Sequence, residues 1–232
     1  MPIPVHDNDW KSLMEKYLTF AIVLGGWIVS VCLHEFAHAI VAYKGGDTSV
    51  REKGYLTFNP LKYTDPVFSF ILPIVFLLSG GIGLPGAAVY IQRDSLRSRG
   101  WATAVSLAGP AANLIIAVLM GLVLLVPGVR ESAVGPALAF LGLLQVTALV
   151  FNMLPLPPLD GFGAIEPYLG HGVRQAIAPY QHYVFIGLLF LMWTVPIVSS
   201  SFWLTTFVIA SLFGIQPADV VQGYKMFKFW SS

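Results

Sequence analysis

His34, Glu35 and His38 form H-E-x-x-H. On a helix, residues four apart share a face, so both imidazoles can hold one zinc ion while Glu35 stands beside the water that such a metal activates. The chemistry implied is metal-assisted hydrolysis, with Glu35 as general base. The bland alternative is a helix end whose polar side chains face headgroups near Lys44. Catalytic zinc usually takes three protein ligands and leaves one position for water. Asp160 is the candidate third ligand: it closes the run Phe151-Asn152-Met153-Leu154-Pro155-Leu156-Pro157-Pro158-Leu159-Asp160-Gly161, whose prolines end a helix and form a stiff extended segment. Its competing reading is a capping aspartate in a turn before Gly161.

These residues must be positioned by apolar elements. Of the 232 residues, 56% are hydrophobic and only 11% charged, with mean hydropathy +0.73, which places the chain among membrane proteins. Uncharged stretches run over 17–33, 66–92, 100–129, 132–159 and 175–217, each near or above the roughly 20 residues that cross a bilayer. H-E-x-x-H therefore falls at the end of an apolar span, where ionisable groups are costly and tend to mark function. A net charge of +1 without a basic patch argues against nucleic acid as a partner. The single cysteine, Cys32, excludes a disulfide within the chain.

Basic residues gather at Lys44, Arg51, Lys53 and Lys62, at Arg93, Arg97 and Arg99, and at Lys225 and Lys228. The positive-inside rule assigns all three groups to the cytoplasm. A straight crossing over 66–92 would separate the first two groups, and the glycines and prolines there would break it. A re-entrant segment resolves the conflict. The last stretch, with Pro196 inside it, reads as two spans that return the C-terminus to the cytoplasm. The expected fold is an all-α multi-pass membrane protein of about five transmembrane helices, plus a re-entrant segment with a small β-element. It forms one domain over 1–232, with a catalytic core at 17–161 and an accessory helix pair at 175–217.

The β-element is expected at Gly83 to Ile91, ending in Val89, Tyr90 and Ile91, residue types that favour strands. A strand edge there could bind an unwound substrate by main-chain pairing; a plain loop is the alternative. Asn113, inside an apolar stretch, either lines the site as a substrate contact or bonds a neighbouring helix. His171 and His182 read as loop or interface residues, and Trp101 and Trp230 as interfacial anchors.

His34-Glu35-x-x-His38 on a membrane helix, followed by Asn152-x-x-Pro155-x-Pro157-x-Leu159-Asp160-Gly161, resembles the site-2 protease family of intramembrane zinc metalloproteases. Ala108-Gly109-Pro110-Ala111-Ala112-Asn113 and Leu56-Thr57-Phe58-Asn59-Pro60-Leu61 are similar to that family too, in its order, over about Leu33 to Gly161. The resemblance implies that His34, His38 and Asp160 ligate one zinc per chain, that Glu35 is the base, and that Asn152 lies near the scissile carbonyl. It also implies an embedded β-element after the first helix. The substrate would be a membrane-anchored protein cut within or near its transmembrane segment in regulated intramembrane proteolysis, in the cell membrane, with the site towards the cytoplasm. Phe162 and Gly163 stand where many relatives carry Gly-Arg, and no PDZ-like insertion is seen. A metal transporter or an inactive scaffold are the rival classes; ligands clustered near one side of the membrane weigh against the first, and retention of Glu35 against the second.

Overall fold

The computed structural model describes residues 7–58 and 89–231. Within them the chain forms α1 (Asp7–Gly45), α2 (Ser49–Glu52), α3 (Arg99–Leu124), α4 (Gly135–Asn152), α5 (Asp160–Ile165), α6 (His171–Ile177), α7 (Gln181–Thr194), α8 (Pro196–Leu212) and α9 (Pro217–Phe227), joined by short 3₁₀ turns. Local chemistry sets the starts. Ser98 caps α3 by accepting the Trp101 N–H at 3.3 Å, which satisfies a donor that the first turn leaves free. Pro136, Pro196 and Pro217 open α4, α8 and α9, where a missing N–H costs nothing.

Four helical runs are long and apolar enough to cross a membrane, or five when the bent pair α8 and α9 is taken as one span. The 39 residues of α1 extend about 58 Å at 1.5 Å per residue, far beyond a hydrocarbon core of roughly 30 Å. The central element is α4, buried almost throughout. Phe140, Leu141, Leu143 and Leu144 of α4 pack with Val23, Trp27 and Val31 of α1, Ala117 and Leu124 of α3, and Ala210 of α8. By contrast, Ile115, Leu119 and Leu122 of α3 and Trp193 of α7 are exposed apolar side chains, as expected of surfaces that face lipid.

The C-terminal arrangement differs from the sequence expectation. Val198 and Phe202, early in α8, pack with Phe151, Leu154, Leu188 and Met192, at the level where α4 ends. Twelve residues after Phe202, Gly214 reaches Leu125, at the end of α3. Helix α8 therefore crosses the bundle, whereas α7 packs on the same cluster from which α8 departs. Beyond a 111° bend, α9 folds onto the far half of α1. There Phe227 stacks on Phe20 at 5.4 Å and meets Phe140 at 5.6 Å, and Asp219 pairs with Arg130 at 2.5 Å. Lys225 and Lys228 thus lie at the opposite end of the bundle from Lys44 and Arg97, not beside them. The apolar face of α9, with Val220, Gly223 and Phe227 buried, is satisfied by this seat, so its two lysines follow packing rather than the charge pattern.

The re-entrant expectation for 66–92 and the Asn59–Leu61 part of its flanking motif fall outside the described residues, apart from 89–92. The β-element is not supported. Among the described residues there is no strand, and Val89, Tyr90 and Ile91 have no regular secondary structure. The physical reason is that peptide groups along 89–92 are bonded to side chains. The Val89 N–H donates to Glu35 Oε2 at 3.2 Å, Lys53 Nζ donates to the Tyr90 carbonyl at 3.0 Å, and the Gln92 N–H donates to Asp47 Oδ2 at 2.7 Å.

Candidate metal centre

His34, Glu35 and His38 lie late in α1, and all three are buried. Each imidazole is oriented from behind. The His38 Nδ1–H donates to the Val105 carbonyl of α3 at 2.6 Å. The His34 Nδ1–H donates to Asn113 Oδ1, also of α3, at 2.5 Å. Asn113 is held in turn, its Nδ2 donating to Gln145 Oε1 of α4 at 2.8 Å. With both Nδ1 atoms protonated, both neutral rings present a bare Nε2 lone pair. Those two nitrogens face each other at 3.0 Å. Asp160 adds a carboxylate, with Oδ2 3.3 Å from His34 Nε2 and Oδ1 3.5 Å from His38 Nε2.

In that tautomer three lone pairs converge on one point, an arrangement that a cation among them would satisfy. Zinc bonds of 2.0–2.2 Å in a tetrahedron separate ligand atoms by about 3.3–3.6 Å; the two distances to Asp160 fall in that range, and the 3.0 Å between the imidazole nitrogens is a little shorter. A carboxylate must be ionised to bind a metal, and Asp160 is the acidic group placed against both imidazoles. Glu35 also belongs to the cluster, whose His34, Glu35 and His38 ligand atoms lie within 4.8 Å of one another. Its Oε1 stands 4.0 Å from His34 Nε2 while Oε2 accepts from Val89. Asp160 is thus nearer than Glu35 and touches both imidazoles, and Glu35 is set back by a distance suited to an intervening water.

Gly109 of α3 completes the enclosure. A Cβ at this position would overlap both His34 Nε2 and His38 Nε2, so only glycine leaves the space before the two nitrogens clear. The residues present therefore fit a tetrahedral, nitrogen- and oxygen-ligated ion with one open side.

Asp160 reaches this point because the chain turns tightly after α4. It is the first residue of α5, preceded by extended Leu159, and its carboxylate faces the imidazoles instead of capping a helix. At the next position, a Cβ on Gly161 would overlap the carbonyl oxygens of Met153 and Leu154. Backbone cannot yield as a flexible side chain does. Gly161→Ala is expected to lower stability by about 1–3 kcal/mol and to weaken metal retention by displacing Asp160. Thermal unfolding of purified protein in detergent, with and without added zinc, checks both.

The other expected site residues lie as follows. Val89 touches Glu35, whereas Tyr90 is exposed and bonded to Lys53, and Ile91 packs with an apolar cluster that includes Cys32, Ala39 and Val50. Asn113, expected as a substrate contact, has both polar atoms engaged inside the protein and orients His34. Asn152 is buried at the end of α4, and its Nδ2 has no hydrogen-bond partner among the described residues. His171 and His182 are exposed and outside the cluster. Sequence reasoning missed Gly109 as a packing requirement, Asp47 as the anchor of 89–92, and Gln145. For Gln145 a signal existed, since it is a large polar side chain in the middle of an apolar span.

Fold and site define a class: a multi-span membrane protein with a buried histidine–carboxylate metal centre flanked by a free carboxylate. No family model matches the chain, and no solved structure matches it significantly. It is 44% identical over 214 residues, 92% of its length and 82% of the relative's, to a protein of Mycolicibacterium smegmatis named as a zinc metalloprotease, Rip2. It is 40% identical over 213 residues to the Mycobacterium tuberculosis (strain H37Rv) protein of the same name, covering 91% of the chain and 82% of the relative. With YwhC of Bacillus subtilis, also named as a zinc metalloprotease, identity is 36% over 204 residues, 82% of the chain and 90% of the relative. The chain belongs to the site-2 protease family of zinc metalloproteases.

Proposed function

We propose that this protein is an intramembrane zinc endopeptidase that cuts membrane-anchored proteins within or near their transmembrane segments, as a step in regulated intramembrane proteolysis. The observation that carries the reading is the convergence of two Nε2 lone pairs and the Asp160 carboxylate, with Glu35 set one water's width away. His34, His38 and Asp160 would hold the metal. When bound, zinc supplies Lewis acidity toward a carbonyl and lowers the pKa of water.

The remaining work falls to the chain's own residues. Glu35 takes a proton from the attacking water as the new C–O bond forms, and returns it to the amine nitrogen as the C–N bond breaks. The Val89 N–H fixes one Glu35 oxygen and leaves the other on the metal-facing side. Asn152 Nδ2, buried and without a partner among the described residues, is a donor suited to the carbonyl oxygen as it gains charge. Because His34 and His38 lie within the candidate span Trp10–Gly45, a substrate bond must be brought to membrane depth and its helix locally unwound. Lys44, Arg51, Lys53, Arg93, Arg97 and Arg99 lie beyond the metal end of α1 or along the chain that follows it, which supports a cytoplasmic-facing site in the cell membrane.

Comparative proteomics of the membrane fraction tests this reading. Cells carrying Glu35→Gln should accumulate membrane-anchored stubs that cells with the parent protein lack. Identical membrane proteomes would count against proteolysis as the activity.

A further inference from the structure

Asp47, in the turn between α1 and α2, has no exposure to solvent. The turn itself fixes the residue. Its N–H donates to the Ala42 carbonyl of α1 at 3.0 Å, and its Oδ1 accepts from both the N–H and the hydroxyl of Ser49, at 3.0 and 2.6 Å. The other oxygen, Oδ2, accepts the Gln92 N–H at 2.7 Å, across 45 residues of sequence. Answering Ser49 and Gln92 together takes two accepting oxygens, which a carboxylate has and an amide lacks.

Gln92 lies three residues after Val89, whose N–H donates to Glu35 Oε2 at 3.2 Å. Three residues reach about 11 Å at full extension, so a fixed Gln92 confines the Val89 N–H to the neighbourhood of Glu35. Two more bonds lace this segment to the same corner: Lys53 Nζ donates to the Tyr90 carbonyl at 3.0 Å, and the Arg97 N–H to the Gly45 carbonyl at 2.9 Å. The Lys53 bond is exposed, where water competes for both partners, and Arg97 is eight residues from Val89. The buried bond to Asp47 is therefore the firm tie nearest to Val89.

We propose that Asp47 is a positioning residue for the base: by holding Gln92 it keeps the Val89 N–H on Glu35 Oε2, and so fixes the plane of the carboxylate that meets the attacking water. This rests on the reading that Glu35 is the general base. The terminal torsion of a glutamate is broad, so without the Val89 N–H the Glu35 carboxylate is free to turn. None of the Asp47 hydrogen bonds reaches His34, His38 or Asp160, so the metal should be held as before.

The test is turnover, by purified full-length protein in liposomes, of a membrane-anchored stub that accumulates in cells carrying Glu35→Gln, with zinc content measured on the same samples. A reacting group misplaced by about 1 Å can cost about 10²-fold in rate. A carboxylate loosened in place loses less, so Asp47→Asn, which keeps the volume but offers one oxygen where two are needed, should lower kcat by about tenfold. KM and zinc content should match the parent. Gln92 has φ −81°, close to the value that proline imposes, so Gln92→Pro removes the N–H at a backbone angle proline tolerates and should lower kcat to the same extent. In a Val89→Pro background the donor to Glu35 is already gone, and adding Asp47→Asn should cost less than about twofold more.

Parental kcat in Asp47→Asn overturns the proposal, as does parental kcat in Val89→Pro. So does an undiminished loss when Asp47→Asn is added to Val89→Pro, which marks a role in folding the α1–α2 corner alone. A change confined to KM, or a loss of zinc accompanying the loss of rate, also overturns it. If Asp47→Asn fails to fold, Gln92→Pro decides: a tenfold fall in kcat at full zinc content supports the proposal, and parental turnover overturns it. A parent protein that cleaves no such stub removes the underlying reading of Glu35 instead, a result distinct from all of these.

Discussion

Glu35→Gln should keep its zinc and lose peptide hydrolysis. The substitution preserves volume, and the amide oxygen can still accept the Val89 N–H that Glu35 Oε2 accepts at 3.2 Å. None of the three groups that converge on the metal position is altered. What disappears is a group able to take a proton from water and return it to the leaving amine, a contribution worth about 10²- to 10⁴-fold in rate. Turnover of a membrane-anchored substrate by purified protein in liposomes should fall by at least that factor, with metal content unchanged at about one zinc per chain. Near-parental turnover would rule out the role given to Glu35, and loss of zinc would show that its carboxylate serves as a ligand.

Gly109→Ala is the second large effect, and it runs against helix propensity. Alanine is favoured over glycine inside a helix by about 1 kcal/mol. At Gly25 of α1, a Cβ has nothing within 4 Å, so Gly25→Ala should be neutral or slightly stabilising. At Gly109 the same methyl overlaps both metal-facing nitrogens. The two rings cannot retreat without breaking their bonds to Asn113 and Val105. We expect Gly109→Ala to remain folded, because the collision is confined to the site, while zinc affinity drops by about 100-fold or more, beyond the usual cost of losing an outer partner. Chelator competition on the two variants side by side measures this, and parental zinc affinity in Gly109→Ala would contradict the geometry.

How much of this was legible in advance depended on the range of each interaction. His34, Glu35 and His38 are readable because ligand spacing on one helix is a local property. Asp160 could be named as a candidate from the prolines before it and the resemblance, but its contacts with both imidazoles depend on the turn after α4 and on the close approach at Gly161. Asn113 stands out as a polar residue in an apolar run, yet its partners, His34 and Gln145, lie on two other helices, and sequence spacing carries no such information. The β-element is not supported at Val89–Ile91, the part of 83–91 that lies within the described residues: strand propensity describes a side-chain preference, whereas the groups that answer the backbone along 89–92 are Glu35, Lys53 and Asp47. The C-terminal lysines misled because charge counting presumes that every apolar run crosses, while α9 packs across the end of the bundle.

The seat of α9 on the early turns of α1 also decides what can be reached from where. Phe20, which meets Phe227, and His34 are separated by about 21 Å along one continuous helix. Both described ends of the chain therefore emerge at one face of the bundle, with the metal ligands towards the other. Whichever way the protein is inserted, a membrane-impermeant label on either end and a membrane-impermeant chelator will act from opposite compartments. Sealed vesicles of a single orientation should accordingly protect the termini or the metal, but not both.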